Sequence, residues 1–197
     1  SSVVQKALLR IYVPALIVHA YQAQDIALDG LRYKQLLVPL DGSQRAELVL
    51  PLASTIAQDH EAKLLAVHVV RRPEVPRRKP LNAEEQHLVD QLVDLNKVEA
   101  ARYLDGLSAR LGCAVETRLI VADNPAAALH QIVEEAPVDL VLLCAHGYSG
   151  ETRWPYGSVA LNFVAYGSTP LLITQDLSAE EVGPSVAEEA ASESRGH

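Results

Sequence analysis

Residues 35–43, Gln35-Leu36-Leu37-Val38-Pro39-Leu40-Asp41-Gly42-Ser43, decide the fold. The apolar run 36–40 has the length of a strand buried on both faces. An acidic residue, a glycine and a helix-capping serine follow at once. Behind Ser43, Leu48, Leu52 and Ile56 recur with Val49, Ala53 and Ala57 at helical spacing, so a strand feeds directly into a helix. Pro51 lies inside that pattern and predicts a kink.

The same alternation continues along the chain. Residues 63–70 are almost wholly apolar and read as a second buried strand, followed by a Pro-rich basic loop over 71–80. A long helix is expected over 83–111, its apolar stripe running through Leu88, Leu92, Leu95 and Val98 and rotating toward Leu104, Leu107 and Leu111, with Gly112 as its stop. Residues 115–121 alternate apolar Val115, Leu119 and Val121 with charged Glu116 and Arg118, which suits an edge strand. Asn124-Pro125 is a cap and first-turn pair for a helix carrying Ala128, Leu129, Ile132 and Val133 inward. A fourth strand over 138–144, a short helix from Ser158 and a fifth strand over 171–174 complete the unit. Strands alternating with helices predict an α/β fold: a doubly wound, five-stranded parallel sheet with helices on both faces. Such sheets bind ligands beyond the carboxyl ends of the strands, where strand order reverses.

Residues 1–20 read as an ending, not a beginning. Ser2-Val3 matches Ser158-Val159, Pro14 matches Pro170, and Leu16-Ile17 matches Leu172-Ile173, every pair 156 residues apart. The organisation expected is therefore the terminal helix and strand of a preceding copy (1–20), a linker (21–34), one full domain (35–175) and a tail (176–197). Between Asp176 and His197 six residues are acidic and one is basic, against a net charge of −8 for all 197 residues. With few large apolar side chains, that tail reads as disordered.

Composition narrows the function classes. The negative charge disfavours a nucleic-acid partner. No apolar run approaches the roughly 18 residues of a membrane span, and the start lacks the layout of a signal peptide, so a cytoplasmic protein without membrane contact is expected. Cys113 and Cys144 stand apart, and the seven histidines show no metal-binding spacing, so neither disulfide nor metal is expected.

Two stretches carry the candidate chemistry, each at the carboxyl end of a strand. In the first, Asp41 leaves the strand immediately before a helix N-terminus. The second is Ala145-His146-Gly147, then nine residues, then Gly157-Ser158 at the next helix start. Glycines admit close backbone approach to an anion, and a helix N-terminus favours negative charge. His146 is open to two readings, a donor to phosphate or a polar turn residue, while His68 reads as a core or rim histidine. Trp154 is either a lid or a loop anchor. Arg71, Arg72, Arg77, Arg78 and Lys79 emerge at the same sheet end and read as a solvated loop or a means of concentrating anions.

Together the stretches resemble the universal stress protein family, whose nucleotide-binding members carry Gly-x2-Gly-x9-Gly-(Ser/Thr) after the fourth strand and Pro-x-Asp after the first. The resemblance covers residues 33–174 in element order and is most specific over 144–159. It implies an adenine-nucleotide alpha-hydrolase-like, Rossmann-like fold. It also implies that Asp41 and the backbone of Val69 line an adenosine pocket, while Gly147, Gly157, Ser158 and Val159 cradle phosphates; Pro39 of the Pro-x-Asp pattern, Cys144 and His146 complete the candidate nucleotide-binding residues. ATP or a related adenine nucleotide, with Mg2+ as its companion, is the ligand implied. The first glycine of the family pattern is here Cys144, which sets a sulfur where backbone passes closest to the ligand. Family resemblance further implies association through the fifth strands, for which residues 13–19 offer a partner to 171–174. The expected role is a stress-response regulator and not a dedicated enzyme, since beyond Asp41 and His146 the region supplies no catalytic groups. The alternatives are a degenerate dimerisation scaffold that binds no nucleotide, favoured by Cys144, and an adenylylating enzyme.

Overall fold

The computed structural model describes Leu8 and residues 13–18, 32–73, 80–148 and 156–176. Its strands are β1 (Ala15–Ile17), β2 (Gln35–Leu40), β3 (Lys63–Arg71), β4 (Val115–Ala122), β5 (Leu140–Cys144) and β6 (Leu171–Thr174). The helices are α1 (Gln44–Glu47), α2 (Leu50–His60), α3 (Ala83–Arg110), α4 (Pro125–Glu135) and α5 (Ser158–Tyr166). Most of the expected linker and tail, the first helix expected near residue 2, Arg77, Arg78, Lys79 and Trp154 lie outside the described residues.

The sheet has six strands in the order β1-β6-β5-β2-β3-β4, one more than the five expected. Five are mutually parallel, and β1 runs antiparallel to β6, with Ala15 opposite Ile173 and Ile17 opposite Leu171. Without β1 the backbone groups on that side of β6 would form an open edge. The pairing joins the two segments whose sequences repeat. β4 holds the other edge, and its residues are only partly buried, as its alternating charge predicts.

Burial follows the pleat. Leu36, Val38, Leu40, Leu64, Ala66 and Leu142 pack against α2 and the second half of α3, while Leu37, Leu65, Val67, Val141 and Leu143 pack against α4 and α5 on the opposite face. Strand order reverses between β2 and β5, and there the loops part.

Two helices depart from expectation. The sequence pattern behind β2 gives two helices, not one kinked helix, because Pro51 has no N–H to continue a ladder from α1. It sits in the first turn of α2, where none is needed. Leu48, expected inside, falls in the break and is exposed. In α3 the residues meeting the sheet are Val93, Ala100, Leu104 and Leu107, whereas Leu88, Leu92, Leu95 and Val98 of the expected stripe are exposed. The helix begins with a capping box between Asn82 and Glu85 and ends at an extended Leu111, so Gly112 supplies no left-handed turn.

Candidate functional site

Asp41 follows β2, and its position is fixed by backbone. Gly42 adopts φ 81°, a left-handed conformation that turns the chain back on itself. This lets the Ser43 amide donate to Asp41 Oδ1 at 3.0 Å. Ser43 Oγ in turn accepts the Ala46 amide at 3.1 Å and caps α1, as predicted. The second Asp41 oxygen accepts the Tyr148 amide at 2.5 Å, so one carboxylate ties the loop after β2 to the loop after β5. Gly147 is required by that contact: a Cβ there would run into the Asp41 carboxylate.

The loop after β5 is anchored at several points. The Gly157 amide donates to Ala145 O at 2.7 Å, and a Cβ on Gly157 would lie 3.2 Å from the same oxygen. Gly157 begins α5 without a side-chain cap, which leaves the amides of that first turn for another acceptor. Just before it, the Tyr156 hydroxyl donates to Leu8 O at 2.9 Å, with both residues buried in the core. Burial pushes the Tyr156 phenol up to about 12, so it stays a neutral donor.

His146 is buried, and its Nδ1 lies 2.7 Å from Asp176 Oδ1. The other Asp176 oxygen faces Arg45 Nε of α1 at 3.4 Å. Sequence reading grouped Asp176 with the acidic tail, but its side chain is fully buried two residues beyond β6 and joins that strand to the loop after β5 and to α1. A carboxylate at the carboxyl end of a strand next to the switch point was the available signal. Tail composition concealed it.

The facing wall is built from β3, α3 and α4. His68 presents a buried Nδ1 without a hydrogen-bond partner, and its ring meets Tyr103 edge-on at 6.1 Å. Burial lowers the His68 pKa, and the nearby Asp41 charge opposes that shift. The Tyr103 hydroxyl is buried near the Glu47 carboxylate, and burial and that carboxylate push its pKa up. Asn124 caps α4 by accepting the Ala127 amide at 3.2 Å.

Between these walls lies a cleft of about 1370 Å3. Pro39, Asp41, Val69, Cys144, His146, Gly147, Gly157, Ser158 and Val159, all the candidates from sequence, line it. So do His68, Tyr103 and Asn124, to which sequence gave no role in a site. Cys144 is buried beside Thr174 and Asp176, and burial raises its thiol pKa, which disfavours the reactive thiolate. Among the described residues no group of three or more His, Cys, Asp or Glu could hold a metal ion, and no helix is long and apolar enough to cross a membrane.

A doubly wound sheet with a cleft over its switch point, an acidic residue on one lip and glycines on the other, defines an α/β domain of the Rossmann-like class. The profile of the universal stress protein family matches residues 32–175, and the chain belongs to that family. It is 26% identical over 144 residues to universal stress protein MJ0531 of Methanocaldococcus jannaschii, covering 73% of this chain and 82% of that one. It is 27% identical over 175 residues to Rv2623 of Mycobacterium tuberculosis, covering 88% of this chain but 55% of the relative, so it spans about half of that protein's length. Among solved structures, UspA from Lactobacillus plantarum superposes with a TM-score of 0.66 at 21% identity, covering 74% of this chain and 99% of its own. A universal stress protein in complex with cAMP superposes at 0.50 and 22% identity, over 74% of this chain and 98% of the other. An Arabidopsis thaliana family protein with AMP bound gives 0.50 at 14%, over 79% and 99%.

Proposed function

We propose that this chain is a stress-response regulatory module that binds ATP or a related adenine nucleotide in the cleft between β2 and β5. The observation that carries the reading is the first turn of α5, which has no side-chain cap and lines the cleft through Gly157, Ser158 and Val159, an arrangement suited to phosphate oxygens. Asp41 keeps acceptor capacity for ribose hydroxyls, since each of its oxygens receives one amide. Pro39 and Val69 line the same cleft, and the unpartnered His68 Nδ1 is a buried polar atom that a bound ligand would satisfy. Bound cAMP and AMP in two relatives of the same fold support an adenine nucleotide. His146 lines the cleft with its Nδ1 held by Asp176, which fixes the start of the loop after β5. If Mg2+ accompanies the nucleotide, Asp41 is the carboxylate at hand.

The reading includes a tandem origin. Residues 1–20 would be the end of a preceding copy, and β1 would stand in for the strand that a second domain adds to β6. The repeat offset, the antiparallel pairing and the length of Rv2623 support it. Signalling would pass through that association, in the cytoplasm, with no dedicated catalytic step. Isothermal titration with ATP tests the central claim. Saturable heat in the native chain and its loss in Gly157→Glu are expected. The absence of saturable heat with every adenine nucleotide would instead favour the scaffold reading, for which Cys144 in the glycine position speaks.

A further inference from the structure

Helix α3 presents a second interaction surface, on the side of the molecule away from β6. Its 28 residues extend about 42 Å, well beyond the roughly 30 Å of the nine-residue strand β3 beside it. Leu88, Leu92, Leu95 and Val98 follow one another at spacings of four, three and three, and are 61, 45, 65 and 49% exposed. Scattered exposed leucines need no explanation, but four large aliphatic residues in one helical stripe form a contiguous apolar face. The sheet does not use that face, because Val93, Ala100, Leu104 and Leu107 already fill its contact with α3.

The charges along α3 indicate what covers the stripe. Residues 83–96 contain Glu84, Glu85, Asp90 and Asp94 and no lysine or arginine, whereas the second half carries Lys97, Arg102 and Arg110 against Glu99 and Asp105, with Arg110 paired to Glu47. A second copy of the same helix laid antiparallel therefore sets each acidic first half against the weakly basic second half, whereas a parallel copy sets acidic half against acidic half. Glu84 and Arg102 are 18 residues apart, five full turns, and so project from the same line of the helix as Leu88 and Leu95. A two-fold axis near Val93 sets Glu84 opposite Arg102 of the other copy, Leu88 opposite Val98, and Leu92 close to the axis. Arg102 pairs with Glu99 on its own helix at 3.1 Å, but both side chains are largely exposed and such a pair costs little to exchange.

We propose that two copies of this chain associate through an antiparallel, isologous contact of helix α3 centred on Leu88, Leu92 and Leu95. The edge of β6 is occupied by β1, so this contact is separate from strand pairing. One helix pair is small for a protein interface, so a weak, reversible dimer in the micromolar range is expected.

Sedimentation velocity of the full chain over a concentration series tests this. A monomer–dimer equilibrium is expected, weakened about tenfold by Leu92→Glu and by Arg102→Glu, and restored when Glu84→Arg is combined with Arg102→Glu. All three positions are exposed, and circular dichroism checks that the variants fold. A chain that stays monomeric at the highest concentration overturns the proposal. So does a dimer indifferent to these substitutions.

Discussion

The two walls of the cleft are held in different ways. On the β2–β5 side, Asp41 receives amides from two loops, His146 rests on Asp176, and Tyr156 is fastened to Leu8. The opposite side leaves the His68 Nδ1 buried without a partner. A wall whose loops are already bonded incurs little ordering cost when a ligand arrives, whereas buried polar atoms without partners cost stability until something satisfies them. The first wall supplies pre-organisation, and the second supplies a group, the His68 imidazole, whose energy a ligand can improve. In the proposed reading, phosphate meets the rigid side and the base meets the adjustable one.

The largest break in this contrast is expected from Gly147→Ala. The new Cβ collides with the Asp41 carboxylate and separates the two loops that it joins. Loss of about two orders of magnitude in nucleotide affinity, about 3 kcal/mol, is expected by titration. Gly157→Ala meets only Ala145 O at 3.2 Å and should cost far less. Equal losses in the two variants would show that the loop, and not the link through Asp41, sets the geometry.

Asp176→Ala strikes the same wall from below. It leaves the buried His146 without its acceptor and the partly exposed Arg45 without its ion pair, and a loss of about 1–3 kcal/mol in urea unfolding is expected. Asp176→Asn retains an acceptor for His146 and should lose less. A smaller effect again is expected of Tyr156→Phe, which removes the donor to Leu8 O for about 1 kcal/mol. Faster amide exchange at residues 15–17 in that variant would show that the N-terminal segment and the loop before α5 are coupled. Unchanged exchange would confine the effect to Tyr156.

How far the sequence could be read differs between the same two regions. The rigid wall announced itself through local chemistry: a turn glycine after Asp41, a capping Ser43, and glycines spaced around a helix start. Each of these follows from its neighbours along the chain, so residues 39–43, 144–147 and 157–159 could be placed at strand and helix ends before any fold was seen. The buried Asp176 and the unpartnered His68 could not. Their roles depend on which strand ends lie side by side, and composition assigned one to a tail and the other to the core. In α3 the periodicity of Leu88, Leu92, Leu95 and Val98 was real, but period alone does not say which of two faces meets the sheet. Pro51 carried information about a break, and sequence could not decide between a kink and a new helix.

The adjustable wall is probed most directly by pH. Burial holds the folded-state pKa of His68 below its ordinary value of 6.5, so below that pH the unfolded chain takes up a proton that the folded chain resists. The unfolded state then binds more protons, and stability must rise with pH across this interval. The contribution of His68 is fully present above pH 6.5 and declines as pH falls toward the depressed folded value. Below that value both states are protonated and no further loss accrues. Urea unfolding at a series of pH values should show this slope in the native chain and a shallower one in His68→Leu, which has nothing to titrate. If both proteins give the same slope, His68 is not a strained neutral imidazole, and the contrast between a satisfied and an unsatisfied wall fails at its central residue.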